Sequence, residues 1–136
     1  MANYKISDIE GIGPTYAQKL KAVGVRSVNA LLEKGASKKD RKALSDNSGI
    51  DETLILKWVN MADLYRVNGV GSEYSELLEK AGVDTVKELK TRNADNLYAK
   101  IVEVNKSKKL VRQAPGFKMV EKWIKEAKKL APKVTY

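Results

Sequence analysis

Ile9-Glu10-Gly11-Ile12-Gly13 returns 58 residues later as Val67-Asn68-Gly69-Val70-Gly71. At the same spacing Tyr16 meets Tyr74, Leu20 meets Leu78, Gly24-Val25 meets Gly82-Val83, Ser27-Val28 meets Thr85-Val86, and Leu31 meets Leu89. A register held from Ile9 to Leu31 marks one supersecondary unit used twice. A second register, at a spacing of 65, matches Lys57-Trp58-Val59 to Lys122-Trp123-Ile124 and Ala62 to Ala127. The later copy has therefore gained seven residues, placed in the stretch from Asn105 to Gly116.

Outward from the glycine pairs the signals are helical. Ser7-Asp8-Ile9-Glu10 has the capping-box pattern and predicts a short helix before the first pair. A helix should run from Pro14 to Val23, with proline in its first turn and Gly24 in the left-handed cap. Ser27 can cap a helix through Leu32 that Gly35 stops, and Ser37-Lys38-Lys39-Asp40 opens another, ended at Ser48-Gly49. Asp51 caps a longer helix with Leu54, Ile55, Trp58, Val59 and Ala62 on one face. The second copy predicts a helix from about Glu73 to Ala81, one after Thr85 and one after Asn93 with Leu97, Ile101 and Val104 inward. The last begins near Pro115-Gly116 and carries Phe117, Val120, Trp123, Ile124, Ala127 and Leu130 at helical spacing. No segment alternates long enough to build a sheet, so the fold class is all-α. Trp58 and Trp123 fall at equivalent inward positions, which predicts core packing rather than base stacking.

The chain has 136 residues, 43% of them hydrophobic, which suits one compact domain over 1–136. Its repeats are expected at about 5–64 and 65–130, with 131–136 as a tail. With neither cysteine nor histidine, disulfides and thiolate or imidazole metal sites are ruled out, as is the commonest general base. No cofactor or metal site is predicted. Met1-Ala2-Asn3-Tyr4-Lys5 lacks the apolar core of a leader, and no run approaches the roughly 18 apolar residues of a membrane span. A cytoplasmic protein without a membrane partner is expected.

The formal charge of +9 is uneven: residues 100–133 carry eleven basic and three acidic side chains, whereas residues 68–99 carry four and six. At about 100° per residue, Lys118, Lys122, Lys125 and Lys129 share one stripe of the last helix, opposite much of its apolar face. Such a stripe is an electrostatic footprint for a polyanion, and equally a solvated lysine face whose stems cover apolar surface. Lysine in place of arginine predicts backbone-led, salt-sensitive contact without base reading.

A Gly-apolar-Gly turn before a helix buries the apolar residue and leaves the first-turn amides facing outward, where the helix dipole favours an anion such as a nucleic-acid phosphate. Gly11-Ile12-Gly13-Pro14-Thr15-Tyr16 and Gly69-Val70-Gly71-Ser72-Glu73-Tyr74 both have this form. On these residues the chain resembles the helix-hairpin-helix superfamily. Over nearly its whole length it is similar to a bacterial family of unknown function with paired helix-hairpin-helix motifs, on Ile9-Glu10-Gly11-Ile12-Gly13-Pro14 and Leu56-Lys57-Trp58-Val59-Asn60-Met61-Ala62-Asp63-Leu64. The resemblance implies two helix-hairpin-helix repeats packed in one compact domain. In DNA-binding members the hairpin amides grip phosphate, and a basic residue often stands in the first turn of the following helix. Carried over, Gly11, Ile12, Gly13 and Thr15 take that role in the first hairpin, with Lys19 one turn on, although the first turn itself has no basic residue. The second hairpin offers Gly69, Val70, Gly71 and Ser72 more weakly, because Glu73 and Glu76 bring negative charge to the place a phosphate would approach.

Two functions from different classes follow. One is sequence-independent binding of a DNA or RNA backbone through the first hairpin and Lys118, Lys122, Lys125 and Lys129. The other is a protein-interaction or scaffold module in which the glycines only make turns and the acidic second hairpin meets a basic partner. A catalytic constellation is not expected, nor is a small-molecule substrate: no Walker-type loop, nucleophile–base pair or acidic cluster with metal spacing emerges.

Overall fold

The computed structural model describes residues 4–136, so part of the N-terminal stretch read for a leader, residues 1–3, lies outside the described residues. Among the described residues the protein is all-helical, with a single isolated bridge between Lys5 and Ser27 as its only extended pairing. A 3-10 turn at Ile6–Asp8 precedes α1 (Pro14–Ala22), α2 (Val28–Gly35), α3 (Lys38–Ser48) and α4 (Glu52–Leu64). Then come α5 (Ser72–Lys80), α6 (Val86–Leu89), α7 (Ala94–Lys108) and α8 (Phe117–Ala127). No described helix is long and apolar enough to cross a membrane.

The chain divides into two compact units, one ending at Asp63 and completed by Lys133–Tyr136, the other formed by Leu64–Pro132. In the first unit α3 packs on α1 and α2. Its core holds Ile6, Ile9, Ile12, Leu20, Val25, Leu31, Ile55 and Trp58, all buried. From Trp58 to Tyr65 every residue is buried, so the second half of α4 is enclosed on all sides rather than amphipathic. In the second unit α7 packs on α5 and α8, and α6 on α8, around Val70, Leu77, Leu78, Val83, Leu97, Ile101, Val120 and Trp123.

Local sequence explains the helix ends. Ser27, Ser37, Thr85 and Asn93 each accept a hydrogen bond from the backbone amide three residues on, at 3.1, 3.1, 3.4 and 3.1 Å. Gly24, Gly49 and Gly82 occupy the left-handed region just past α1, α3 and α5, where a Cβ would be strained. Three expectations are corrected. The first capping interaction lies earlier, with the Lys5 amide donating to Asp8 Oδ2 at 3.0 Å, because the opening turn is 3-10 and closes on Asp8 rather than Glu10. Gly35 does not stop α2 but ends it from inside: a Cβ there would stand 2.6 Å from Val59 Cγ2, so the glycine serves close helix approach. The last helix ends at Ala127, where the Lys129 and Leu130 amides bond the carbonyls of Glu126 and Ala127, so Lys129 and Leu130 follow α8 instead of extending it.

The C-terminal segment carries no helical signal and is nevertheless held on the first unit. Thr135 donates its amide to Ala36 O at 2.8 Å, Val134 is buried, and the Tyr136 hydroxyl reaches Asn60 Oδ1 at 3.2 Å. Arg41, itself buried, joins this segment to the end of α2 by donating to the carbonyls of Gly35, Ala36 and Thr135.

One side chain works against the fold. Asp84, in the turn between α5 and α6, is held above the usual carboxylate range by burial first, then by Glu88 and Glu79, with Arg92 opposing. A raised folded-state value means that ionisation opposes folding at neutral pH, and that the penalty is relieved as the pH falls through the folded value. Asp84→Asn is therefore expected to raise Tm at pH 7, with the gain vanishing below the ordinary carboxylate range. Thermal melts at both pH values check this, and an equal gain at both would refute it.

Candidate nucleic-acid interface

The first glycine turn is built by a short relay of backbone bonds. Ile9 N donates to Ile6 O at 3.3 Å and Ile12 N to Ile9 O at 3.1 Å, which drives the Ile12 side chain into the core and leaves Gly11 exposed at φ +93°. Gly13 is the N-cap of α1, supplies no capping side chain, and is followed by Pro14, which has no amide to satisfy. The amides of Gly13, Thr15 and Tyr16 have no partner among the described residues, and α1 has no acid in its first turn. This is an open helix N-terminus with uncompensated positive dipole. Thr15 and Lys19 are exposed, and Lys19 Nζ stands 6.0 Å over the Tyr16 ring.

The same bonds occur 58 residues on. Val67 N reaches Leu64 O and Val70 N reaches Val67 O, each at 3.1 Å, Val70 is fully buried, and Gly69 is exposed at φ +86°. Ser75 N bonds Gly71 O at 2.9 Å, as Ala17 N bonds Gly13 O at 2.9 Å. Beyond the helices, Lys34 Nζ donates to Gly24 O at 3.3 Å and Arg92 donates to Gly82 O at 2.8 Å, a matched pair of cations on the two helix-capping carbonyls. Beneath the turns Tyr16 stacks edge-on against Trp58 at 5.1 Å, and Tyr74 tilts against Trp123 at 5.2 Å. As expected, both indoles are core residues. Their nitrogens, however, lie under the glycines: a Cβ on Gly11 would stand 3.5 Å from Trp58 Nε1, and one on Gly69 would stand 3.7 Å from Trp123 Nε1.

The second turn differs in charge. Its Asn68 amide is already bonded to a carboxylate, Glu126 Oε2 on α8, at 2.9 Å, and Glu73 sits in the first turn of α5. Gly71 and Ser72 are half-buried, whereas Gly13 and Thr15 are exposed.

The candidate residues do not all fall in one unit: Gly11, Ile12, Gly13, Thr15 and Lys19 belong to the first, and Gly69, Val70, Gly71, Ser72 and the lysines to the second. Lys118, Lys122 and Lys125 are exposed on α8, and Lys129 is exposed just past it, in a groove of about 270 Å³ shared with Arg66, Asn68, Glu126 and Leu130. The seven-residue gain falls within the expected stretch: at the spacing of 58, α7 runs two residues past the equivalent of Ser48, and eight residues, 109–116, join α7 to α8 where three, 49–51, join α3 to α4. This stretch places Lys106, Lys109 and Arg112 around a groove of about 590 Å³ with Glu73. Sequence reading noted their charge but not their convergence on the second turn, which depends on how α7 packs on α5.

These residues define an all-helical protein with two exposed glycine turns of matching backbone bonding and a lysine-rich last helix. The chain belongs to the family described as Domain of unknown function (DUF4332), whose model matches residues 10–130. No solved structure matches it.

Proposed function

We propose that the chain is a non-enzymatic, sequence-independent nucleic-acid-binding protein built on two helix-hairpin-helix repeats and working in the cytoplasm. The observation that carries this reading is the open N-terminus of α1: three unpartnered amides, no capping side chain and no acid in the first turn, behind an exposed glycine. Such a terminus suits a backbone phosphate. The exposed Lys118, Lys122, Lys125 and Lys129 add sequence-blind attraction, and the scarcity of arginine among them fits shape and charge recognition over base reading.

Fluorescence anisotropy of a labelled duplex of about 25 base pairs, and of the matching single strand, titrated at several salt concentrations, tests the proposal. Micromolar binding whose logarithm falls linearly with log salt supports it, and the slope counts the phosphates neutralised. No binding at low salt, for a chain of charge +9, would overturn it. That outcome favours a protein-interaction module, whose contact surface would include the exposed Val102 of α7 and Met119 of α8.

A further inference from the structure

A buried tryptophan N–H is a donor with no acceptor role, and it normally finds a partner inside the protein. Trp58 is 1% exposed and Trp123 2%, yet neither indole nitrogen has a hydrogen-bond partner among the described residues. Neither is among the described side-chain nitrogens and oxygens that are both unpartnered and sealed from solvent. Each is therefore an open donor on an otherwise enclosed ring. The opening lies at the glycine, because among the described residues, apart from Gly11 and its two chain neighbours, only Trp58 Nε1 comes within 4 Å of the place where a Gly11 Cβ would stand. A side chain at residue 11 would cover the nitrogen; glycine leaves a notch above it. The arrangement is repeated at Gly69 over Trp123 Nε1.

We propose that the indole N–H of Trp58 is an oxyanion donor of the first hairpin, reaching a phosphate oxygen through the notch at Gly11 while the unpartnered amides at the start of α1 hold the same group. This inference rests on the nucleic-acid reading above and adds to it a side chain that packing alone would assign to the core. It singles out the first hairpin because the equivalent position of the second is already supplied with carboxylates, Glu126 on the Asn68 amide and Glu73 in the first turn of α5. An added anion there meets negative charge. Trp123 thus has the same local geometry in an unfavourable field, which makes it the internal reference for Trp58.

The test uses the full chain, labelled with nitrogen-15. Its two tryptophans give two indole N–H signals, assigned on the unaltered protein and followed as duplex, and separately inorganic phosphate, is added. The expected result is that the Trp58 signal moves with the same midpoint as the duplex anisotropy while the Trp123 signal moves less. Trp58→Phe, which keeps a ring against Tyr16 and removes the donor, should weaken duplex binding about tenfold, the equivalent of one hydrogen bond to a charged group. Saturating duplex binding with the Trp58 signal unmoved overturns the inference and leaves the nucleic-acid reading standing. Equal movement of both signals overturns the assignment to the first hairpin. A Trp58 response to phosphate without any duplex binding supports the anion site and removes the nucleic-acid reading. No duplex binding and no response to phosphate overturns both.

Discussion

Arg41→Ala is expected to destabilise the fold by about 3 kcal/mol. Arg41 is 3% exposed, and its guanidinium bonds three backbone carbonyls, Gly35 and Ala36 at 2.9 Å each and Thr135 at 2.6 Å. Two of those carbonyls are at the C-terminal end of α2, where helix oxygens have no intrahelical partner and a cation is favoured. The third anchors the C-terminal segment. Burial pulls Arg41 below its usual pKa, with Tyr136 and Glu52 opposing, but an arginine stays protonated, so its charge is compensated by carbonyl dipoles and by the Tyr136 ring 5.9 Å away. Alanine would leave the Gly35 and Thr135 carbonyls without this donor, leave Ala36 O to the Thr135 amide and hydroxyl, and open a void beneath the segment. Lysine keeps the charge but cannot fork to three separated oxygens, so Arg41→Lys should lose roughly half as much. The midpoint of urea unfolding reads both, and an alanine variant within about 0.5 kcal/mol of the parent would show that the network contributes little.

Reversing Lys118, Lys122, Lys125 and Lys129 to glutamate together should weaken duplex binding at least about a hundredfold near physiological salt and lower the salt slope by up to about four. All four are exposed, so the loss should come without unfolding, and an unchanged melting curve is part of the expected result. They need not act equally. Lys129 lies beside the Glu126 carboxylate, in the groove that also holds Arg66, so its reversal adds a negative charge next to one already there. Affinity and slope retained in the fourfold variant would remove α8 from the interface, and the proposed binding would then rest on the first hairpin and on Lys106, Lys109 and Arg112.

Much of the architecture was legible because its causes are local. Ser27, Ser37, Thr85 and Asn93 announce helix starts by their own side-chain chemistry, and the structure shows each of them capping. The glycines before Val25, Ile50 and Val83 mark left-handed caps because few other residues take that backbone without strain. The opening turn begins before Ser7 because the amide that meets an acid there is that of Lys5, whose side chain makes no cap bond, and only the backbone path decides which amide faces an acid. Gly35 misled for a related reason: glycine signals either a turn or a close approach, and Val59, 24 residues away, makes it the second.

By itself the sequence determined an all-helical chain, the recurrence of the glycine turns, the inward place of both tryptophans and the basic character of the last quarter. These follow from period, capping chemistry and charge, which act over a few residues or simply add along the chain. Only the tertiary structure decided that Arg41 holds Thr135, that Glu126 occupies the Asn68 amide, and that each indole nitrogen opens beneath a glycine. Those pairings join residues 94, 58 and about 50 positions apart, and a hydrogen bond or a close approach at such separation is fixed by how helices pack, not by the residues that stand next to it in sequence.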